Sequence, residues 1–547
     1  MGKRIVIVGG VAGGATAAAR ARRLDESAEI VMFERGAHVS FASCGLPYHV
    51  GEVIPKESTL VLMTPQRFKE RLNIDVRVET EITAIDRAAR TAAWRNVRTG
   101  ESGTIGYDAL LISTGARPVR PPVPGLDRPG VFTIREIPDT RLVRAWIDEK
   151  HVKRAVVVGA GLIGLEMAEN LVRRGITVEI VEAAPQVMGH LDPEMAAIVA
   201  DTLRDNGVFV HTGDSVTEVA DDLTVHTKSG RAIRADMVVL GIGVRPESEL
   251  ARMAGLRLGK SGGIAVDSSL RTDDPHIWAV GDVIEVASRV SGQLGPVPLA
   301  GPANRQGRLA ADSICGRPVA YRGVLGTAVA GVFGLTVAST GLAQKRLSPD
   351  QAAKSHAIWL HPKDHVAWYP GAESLHMKLV FDDEGRILGV QVIGKAGAER
   401  RVDVVATVMK MNGTVYDLEA AELCYAPQYG AAKDPVNIAG MIAANVLRGD
   451  LKNARWEDVP STSALIVDVR EAEEFAAGAV PGATNLPLSR LRTLATNLPR
   501  DREVWLYCQG GKRSYDASRA LVQLGYDVRN LPGGYETWQH FRSAGLL

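Results

Sequence analysis

What this chain has little of narrows its chemistry before any motif is read. Cysteine occurs four times in 547 residues, as Cys44, Cys315, Cys424 and Cys508. No two form a CxxC pair, so neither a disulfide framework nor a zinc centre is expected, and no metal site is expected. No apolar run reaches the roughly 18 residues that span a bilayer, so no membrane partner is expected. Charge of one sign is missing too. Lys and Arg number 64 against 63 Asp and Glu, a net +1 that gives no case for nucleic acid or a membrane surface as partner. Aromatics are few, and short-period repeats and low-complexity tracts are absent. The opening MGKRIVIVGG reads as a strand entering a turn rather than as a secretory leader. A cytoplasmic location is the expectation.

Glycine is plentiful, with 56 residues, and the length suggests three to four domains of about 100–200 residues each. A short apolar run (residues 3–9), a glycine turn, an Ala-rich helical stretch and a second strand (30–34) follow one another, and the layout returns at 154–175 and 178–182. Two such units imply two dinucleotide sites. The second turn, Gly159-Ala160-Gly161-Leu162-Ile163-Gly164, is a full GxGxxG between strand and helix. Its bare backbone lets a pyrophosphate approach the helix N-terminus. Glu182 ends the next strand, where a carboxylate accepts from a ribose 2′-hydroxyl and repels a 2′-phosphate, so NADH is expected over NADPH. The first turn, Gly9-Gly10-Val11-Ala12-Gly13-Gly14, has Val11 at the middle glycine position, and Glu34 closes its following strand. With the nicotinamide cofactor assigned to the second turn, the first is assigned to FAD, and Gly281-Asp282 would meet the ribityl chain.

Thr114-Gly115-Ala116, Ala279-Val280-Gly281-Asp282 and the two turns resemble the pyridine nucleotide–disulfide oxidoreductase family over about residues 1–447. That resemblance adds Arg35, Thr114, Gly115 and Gly243 to the cofactor-binding residues. The segment Ser40-Phe41-Ala42-Ser43-Cys44-Gly45-Leu46-Pro47-Tyr48 carries one cysteine where two-cysteine members of the family carry a CxxxxC pair. A lone thiol must cycle through a mixed disulfide, a persulfide or a sulfenic acid. This segment and Tyr425–Pro435 are similar to the coenzyme A-disulfide reductase subfamily. By that likeness Tyr425 and Tyr429, with Tyr369 as a further candidate, face the reactive sulfur of the partner subunit in a homodimer and supply a proton or hydrogen bond. Thr16, Arg20, Arg23 and Lys433 would contact the coenzyme A phosphates, and Ser40, Ser43 and Asn304 complete the substrate-binding set. Ser43 stands where these reductases commonly have asparagine. Ala12 stands where the oxidase and peroxidase branch usually carries histidine.

The C-terminal residues 461–547 resemble rhodanese domains through Leu465–Arg470, the Gly-Ala-x-Asn-x-Pro at 482–487, the loop Cys508-Gln509-Gly510-Gly511-Lys512-Arg513 and the terminal Gly533-Gly534-Tyr535. Four residues separate Cys508 from Arg513, the loop size that suits a sulfane sulfur rather than a phosphate. Backbone N–H groups and the charges of Lys512 and Arg513 would steady a persulfide on Cys508. Asp468 and Arg470 are read as holding the domain together, Cys315 as an inert thiol near a helix end, and Cys424 as a packing residue. The expected fold is α/β: an FAD-binding domain (1–115 and 245–320), an NAD-binding domain (116–244), an α/β dimerisation domain (321–447), a linker (448–460) and a rhodanese domain (461–547). The expected function is NADH-dependent reduction of CoA-disulfide, CoA-persulfide or polysulfide through Cys44, with sulfane sulfur carried on Cys508. The alternatives are an NADH oxidase working through a Cys44 sulfenate, and a non-catalytic module for sulfur delivery or redox sensing.

Overall fold

Short runs of β-branched and aliphatic residues set the strands, and their burial on both faces sets the parallel pairing. The computed structural model describes residues 2–547, which divide into two units: the chain through Pro185 with Gly207–Gly326, and Gln186–Asn206 with Thr327–Leu547. In the first unit, one parallel sheet has the order Ile277–Ala279, Ala109–Ile112, Arg4–Val8, Glu29–Phe33, Asp75–Arg77. A second parallel sheet runs Phe209–Thr212, Thr177–Glu182, Arg154–Val158, Met237–Leu240, Val131–Phe132. Apart from edge residues such as Arg4, Glu29 and Arg154, the runs RIVIV, EIVMF, ALLI, RAVVV and MVVL are buried. The chain crosses between the two sheets twice. The crossing segments Ala116–Pro118 and Val244–Pro246 pair antiparallel, and each carries a proline at its end, which only an edge-like two-stranded ribbon tolerates.

The second unit holds an antiparallel sheet in the order Ala328–Val332, Leu335–Gly341, Ile387–Gly394, Leu375–Asp382, Ser355–Leu360. Helices Ala398–Lys410, Val415–Ala420 and Pro435–Leu447 follow it. One short helix, Pro349–Ala353, lies between the strands, and the others come after the last of them. A four-stranded parallel sheet, Thr484–Asn485, Leu465–Asp468, Val504–Tyr507, Val528–Asn530, forms the C-terminal layer with helices Lys512–Gln523 and Gly534–Ser543.

Two segments behave differently from their composition. Helix Pro193–Asp205 falls in the stretch read as the NAD-binding domain, yet it packs with the second unit. The reason is Lys378, whose buried ammonium lies 2.9 Å from Asp192 and 2.6 Å from Glu194 at the start of that helix. The polar stretch read as a linker is stitched onto the C-terminal sheet. Ala454 N–H donates to Asn530 O, Asn530 N–H donates to Lys452 O, and the indole of Trp456, 1% exposed, donates to Pro532 O. A few apolar anchors in a polar run suffice to hold it. No helix among the described residues is long and apolar enough to cross a membrane.

Candidate active site

Both glycine turns are built the same way. Gly9 has φ +95° and Gly159 φ +101°. A Cβ on Gly14 would lie 1.9 Å from the Gly9 carbonyl oxygen, and one on Gly164 2.0 Å from that of Gly159. Only hydrogen at these positions lets each helix start against its turn. The acidic residues match as well. Glu34 accepts from Gly10 N–H (2.9 Å) and Gly36 N–H (2.8 Å), and Glu182 from Ala160 N–H and Ala184 N–H (2.7 Å each). Each carboxylate spans its turn and keeps lone pairs for ribose hydroxyls. Burial pushes the Glu34 carboxyl up, against the pull of its two N–H donors. The geometry therefore fits one dinucleotide per turn.

The floor of the first site fits a flavin. Gly281 N–H donates to Gln306 Oε1 at 2.7 Å, fixing the turn before Asp282. Burial raises Asp282 to about 6, opposed only by the Arg135 charge, and no hydrogen bond reaches its carboxylate among the described residues. A ribityl hydroxyl would supply the missing donor. Thr114 Oγ1 donates to Glu247 O at 2.7 Å, and Glu247 N–H returns to Gly115 O. This joins the two crossing segments. Gly243, at φ +100°, precedes the second crossing. Arg35 faces Glu81 at 3.6 Å and is half exposed.

Cys44 is exposed, in the single turn Ser43–Gly45. Its loop is tied on one side to the first glycine turn, because Ser40 N–H donates to Gly10 O at 2.8 Å. Ser40 holds φ +49°, which turns the chain toward Ala42 and its bond to Leu60 O. On the other side, helix Leu46–Val50 packs on helix Leu162–Arg173 of the second turn. Gly51 meets Asn170 there, and Tyr48 donates to Glu166 at 3.2 Å. Burial and Glu166 push Tyr48 up to about 12, so it stays a donor. The thiol is thus held by elements of both dinucleotide turns.

Several residues read as substrate contacts are otherwise engaged. Arg20 is committed to the buried Asp312 at 2.7 Å, because that carboxylate on helix Ala300–Ile314 needs a partner. Arg23 is exposed and open to a ligand. Thr16 donates to Asn304 at 2.5 Å, so these two lie together. Ser43 and Lys433 are exposed. Tyr369, Tyr425 and Tyr429 are 39%, 48% and 66% exposed. The loop bearing the last two ends at Asp434, buried and held by Arg400 and Arg401. Cys424, read as a packing residue, is exposed, and Cys315 is half-buried with its thiol pushed up by burial.

Cys508 is 1% exposed at the end of strand Val504–Tyr507. Gly511, at φ +101°, aims its N–H at the sulfur, 3.1 Å away. Gly534 approaches so closely that a Cβ would lie 2.2 Å from Cys508 O. Arg513 does not offer a free charge as expected. Its fork grips Glu474 at 2.6 and 2.7 Å and holds that carboxyl down at about 2. Asp468 and Arg470 form a buried pair at 2.7 Å that also binds Gly478 O and Gln509. A further cluster, His361, His376 and His540, carries no motif that sequence reasoning could have found. Strand register brings His361 opposite His376, and helix Gly534–Ser543 adds His540 from far along the chain.

Two dinucleotide turns flanking one exposed thiol, with a sulfur-cradling loop beyond, define a flavin-type thiol oxidoreductase joined to a sulfur-carrier domain. The pyridine nucleotide-disulphide oxidoreductase family model matches residues 3–307, that family's dimerisation domain 327–434, and the rhodanese-like domain 448–541. The chain belongs to the pyridine nucleotide-disulphide oxidoreductase family. It is 33% identical over 446 residues to a coenzyme A disulfide reductase of Staphylococcus haemolyticus, covering 81% of this chain and 100% of the relative. An NADH oxidase of Methanocaldococcus jannaschii is 32% identical over 443 residues, 80% of this chain and 97% of the relative. The crystal structure of reduced Bacillus anthracis CoADR-RHD superposes with a TM-score of 0.97 at 43% identity, covering 99% of this chain and 98% of that one. A NAD-dependent persulfide reductase from A. fulgidus gives 0.91 at 34% identity, covering 98% and 100%.

Proposed function

We propose that this protein uses NADH to reduce the sulfur–sulfur bond of CoA-disulfide, CoA-persulfide or a polysulfide through Cys44, with sulfane sulfur carried on Cys508. The observation that carries this reading is the exposed Cys44, on a loop tied to the first glycine turn and a helix packed against the helix of the second. The names of the relatives with and without the rhodanese-like domain support it.

FAD, when bound at the first turn, supplies the two-electron relay between NADH and sulfur. Glu34 and Glu182 orient the two riboses, and Glu182 disfavours a 2′-phosphate and hence NADPH. The Cys44 thiolate attacks one sulfur of the substrate and the S–S bond breaks: a disulfide releases one thiol and leaves a mixed disulfide on Cys44, and a persulfide attacked at its outer sulfur releases the thiol and leaves a persulfide on Cys44. Two electrons and a proton then free the second product and restore the thiolate. The sum is NADH, H⁺ and disulfide giving NAD⁺ and two thiols, or one thiol and sulfide from a persulfide. Tyr425 and Tyr429, exposed on their loop, with Tyr369, serve the partner subunit's thiol in a homodimer as hydrogen-bond or proton donors. Coenzyme A phosphates are taken by Arg23 and Lys433, and Thr16, Asn304, Ser40 and Ser43 complete the substrate-binding set. Arg513 acts by positioning Glu474 and the Cys508 loop. All four cysteines are free, which suits the reducing cytoplasm.

The test is anaerobic reduction by NADH followed by separate challenge with CoA-disulfide and CoA-persulfide, reading flavin absorbance. Reoxidation by either in the parent protein, and by neither in Cys44→Ser, is expected. Reoxidation at the parent rate in Cys44→Ser refutes the reading. The likeness to an NADH oxidase favours a second reading, oxygen reduction through a Cys44 sulfenate. Oxygen uptake stoichiometric with NADH and unchanged by CoA-persulfide would select it.

A further inference from the structure

Beneath the Cys508 loop, three imidazoles converge that the reductase chemistry does not use. Strands Ser355–Leu360 and Leu375–Asp382 pair antiparallel, and Leu360 stands opposite Met377. One step further along that register, His361 and His376 face each other, with their Nδ1 atoms 3.0 Å apart. Helix Gly534–Ser543 crosses over them. Thr537 and His540 lie three residues apart and share a face of that helix. Thr537 Oγ1 lies 2.7 Å from His361 Nε2, and the His540 ring centroid lies 4.9 Å from that of His376. One ring nitrogen from each histidine falls within 4.8 Å of the others.

We propose that His361, His376 and His540 form a site for a zinc-class dication that clamps the rhodanese helix to the dimerisation sheet. A tetrahedral ion with Zn–N bonds of about 2.0–2.1 Å holds its nitrogens about 3.4 Å apart. Binding would draw in a trio whose nitrogens already stand within 4.8 Å of one another. His361 pairs with His376 and with Thr537, while no hydrogen bond engages the ring nitrogens of His540 among the described residues. Neutral imidazole is the ligating form. Glu536 Oε1 lies 3.5 Å from His376 Nδ1 but outside the group of three, so water completes the coordination. Three imidazoles are donors that suit zinc over magnesium or calcium. The Lys363 ammonium, which also faces the cluster, is turned to Ser374 at 3.0 Å. The site is a clamp rather than a reaction centre. It tethers helix Gly534–Ser543, whose Glu536 N–H donates to Gln509 O, and so steadies the loop that holds Cys508.

The test uses the full-length, flavin-loaded protein, stripped with a chelator and titrated with zinc against a chromophoric chelator. Bound zinc is counted by elemental analysis, and thermal unfolding is followed with and without zinc. One zinc per chain and a higher Tm are expected for the parent. His540→Gln and His376→Gln should bind at least about 100-fold more weakly, beyond what loss of an outer-shell partner costs, and should show no zinc-dependent rise in Tm. Cys44→Ser and Cys508→Ser should bind as the parent does. Absence of zinc binding and of a Tm rise in the parent, full binding in both histidine variants, or loss confined to the cysteine variants would each overturn the proposal.

Discussion

Gly164→Ala probes the second glycine turn with a single methyl group. That methyl would sit 2.0 Å from the Gly159 carbonyl oxygen and 3.1 Å from its carbon. A carbon–oxygen contact needs about 3.3 Å, so the start of helix Leu162–Arg173 must retreat by roughly 1.3 Å. Gly159 is itself closely packed, since a Cβ there would lie 2.6 Å from Gly241 O. A pyrophosphate held by the helix N-terminus then loses at least one charge-assisted hydrogen bond, worth about 1.5–3 kcal/mol. At 1.4 kcal/mol per tenfold, the KM for NADH should rise about 10- to 100-fold, with flavin content unchanged. Gly14→Ala places its methyl 1.9 Å from Gly9 O and should instead lower the flavin content of the purified protein. The assays are the ratio of flavin to protein absorbance and the NADH dependence of turnover. An NADH KM within about twofold of the parent in Gly164→Ala refutes the reasoning on contact distance. Flavin loss there, with flavin retained in Gly14→Ala, means that the turns are assigned the wrong way round.

Lys378→Met strands Asp192 and Glu194 as buried carboxylates without their cation. It should cost about 3–5 kcal/mol, read as a lower urea midpoint, and Glu194→Gln in the same chain should restore part of it. Cys508→Ser should abolish sulfur transfer from thiosulfate while leaving turnover of CoA-disulfide intact; equal loss of both would show that one sulfur serves both reactions. Asp282 is an acid whose folded pKa, about 6, lies above its ordinary 3.8, so the flavin-free fold takes up a proton relative to the unfolded chain. Its contribution to stability is full below about pH 4 and is lost as pH rises through 6, a change on the order of 3 kcal/mol. Asp282→Asn should flatten that slope in urea unfolding of the apoprotein at pH 4.5 against pH 7; an unchanged slope would refute the assignment.

The parallel strands were legible because burial on both faces leaves a continuous apolar run, as in RAVVV and MVVL. The turns were legible because close approach leaves glycine as the one residue that fits, and even Val11 did not hide the first. What sequence could not give were pairings between residues distant along the chain. Arg20 looks like any helix-surface arginine until Asp312 is placed beside it, and Arg513 like a free charge until Glu474 is. The place of helix Pro193–Asp205 depends on a lysine far downstream. The polar run around Trp456 hides its anchors because composition averages over them. His361 and His376 meet only through strand register, which one sequence does not specify.

The two sulfurs sit in opposite surroundings, and the contrast argues for divided labour. A thiol that must meet a disulfide bearing bulky nucleotide groups needs to stand clear of its own fold, and Cys44 does so on a single exposed turn. A sulfane sulfur awaiting transfer has the opposite requirement. It is an electrophile toward any passing thiolate, so its lifetime depends on restricted access and on N–H donors that hold the persulfide charge. Cys508 is 1% exposed with the Gly511 N–H directed at its sulfur. The Arg513–Glu474 fork beside it cancels much of the positive field that would draw in anionic competitors. Exchanging the two settings would leave a reductase that its substrate could not reach and a carrier that lost its cargo to the nearest thiol.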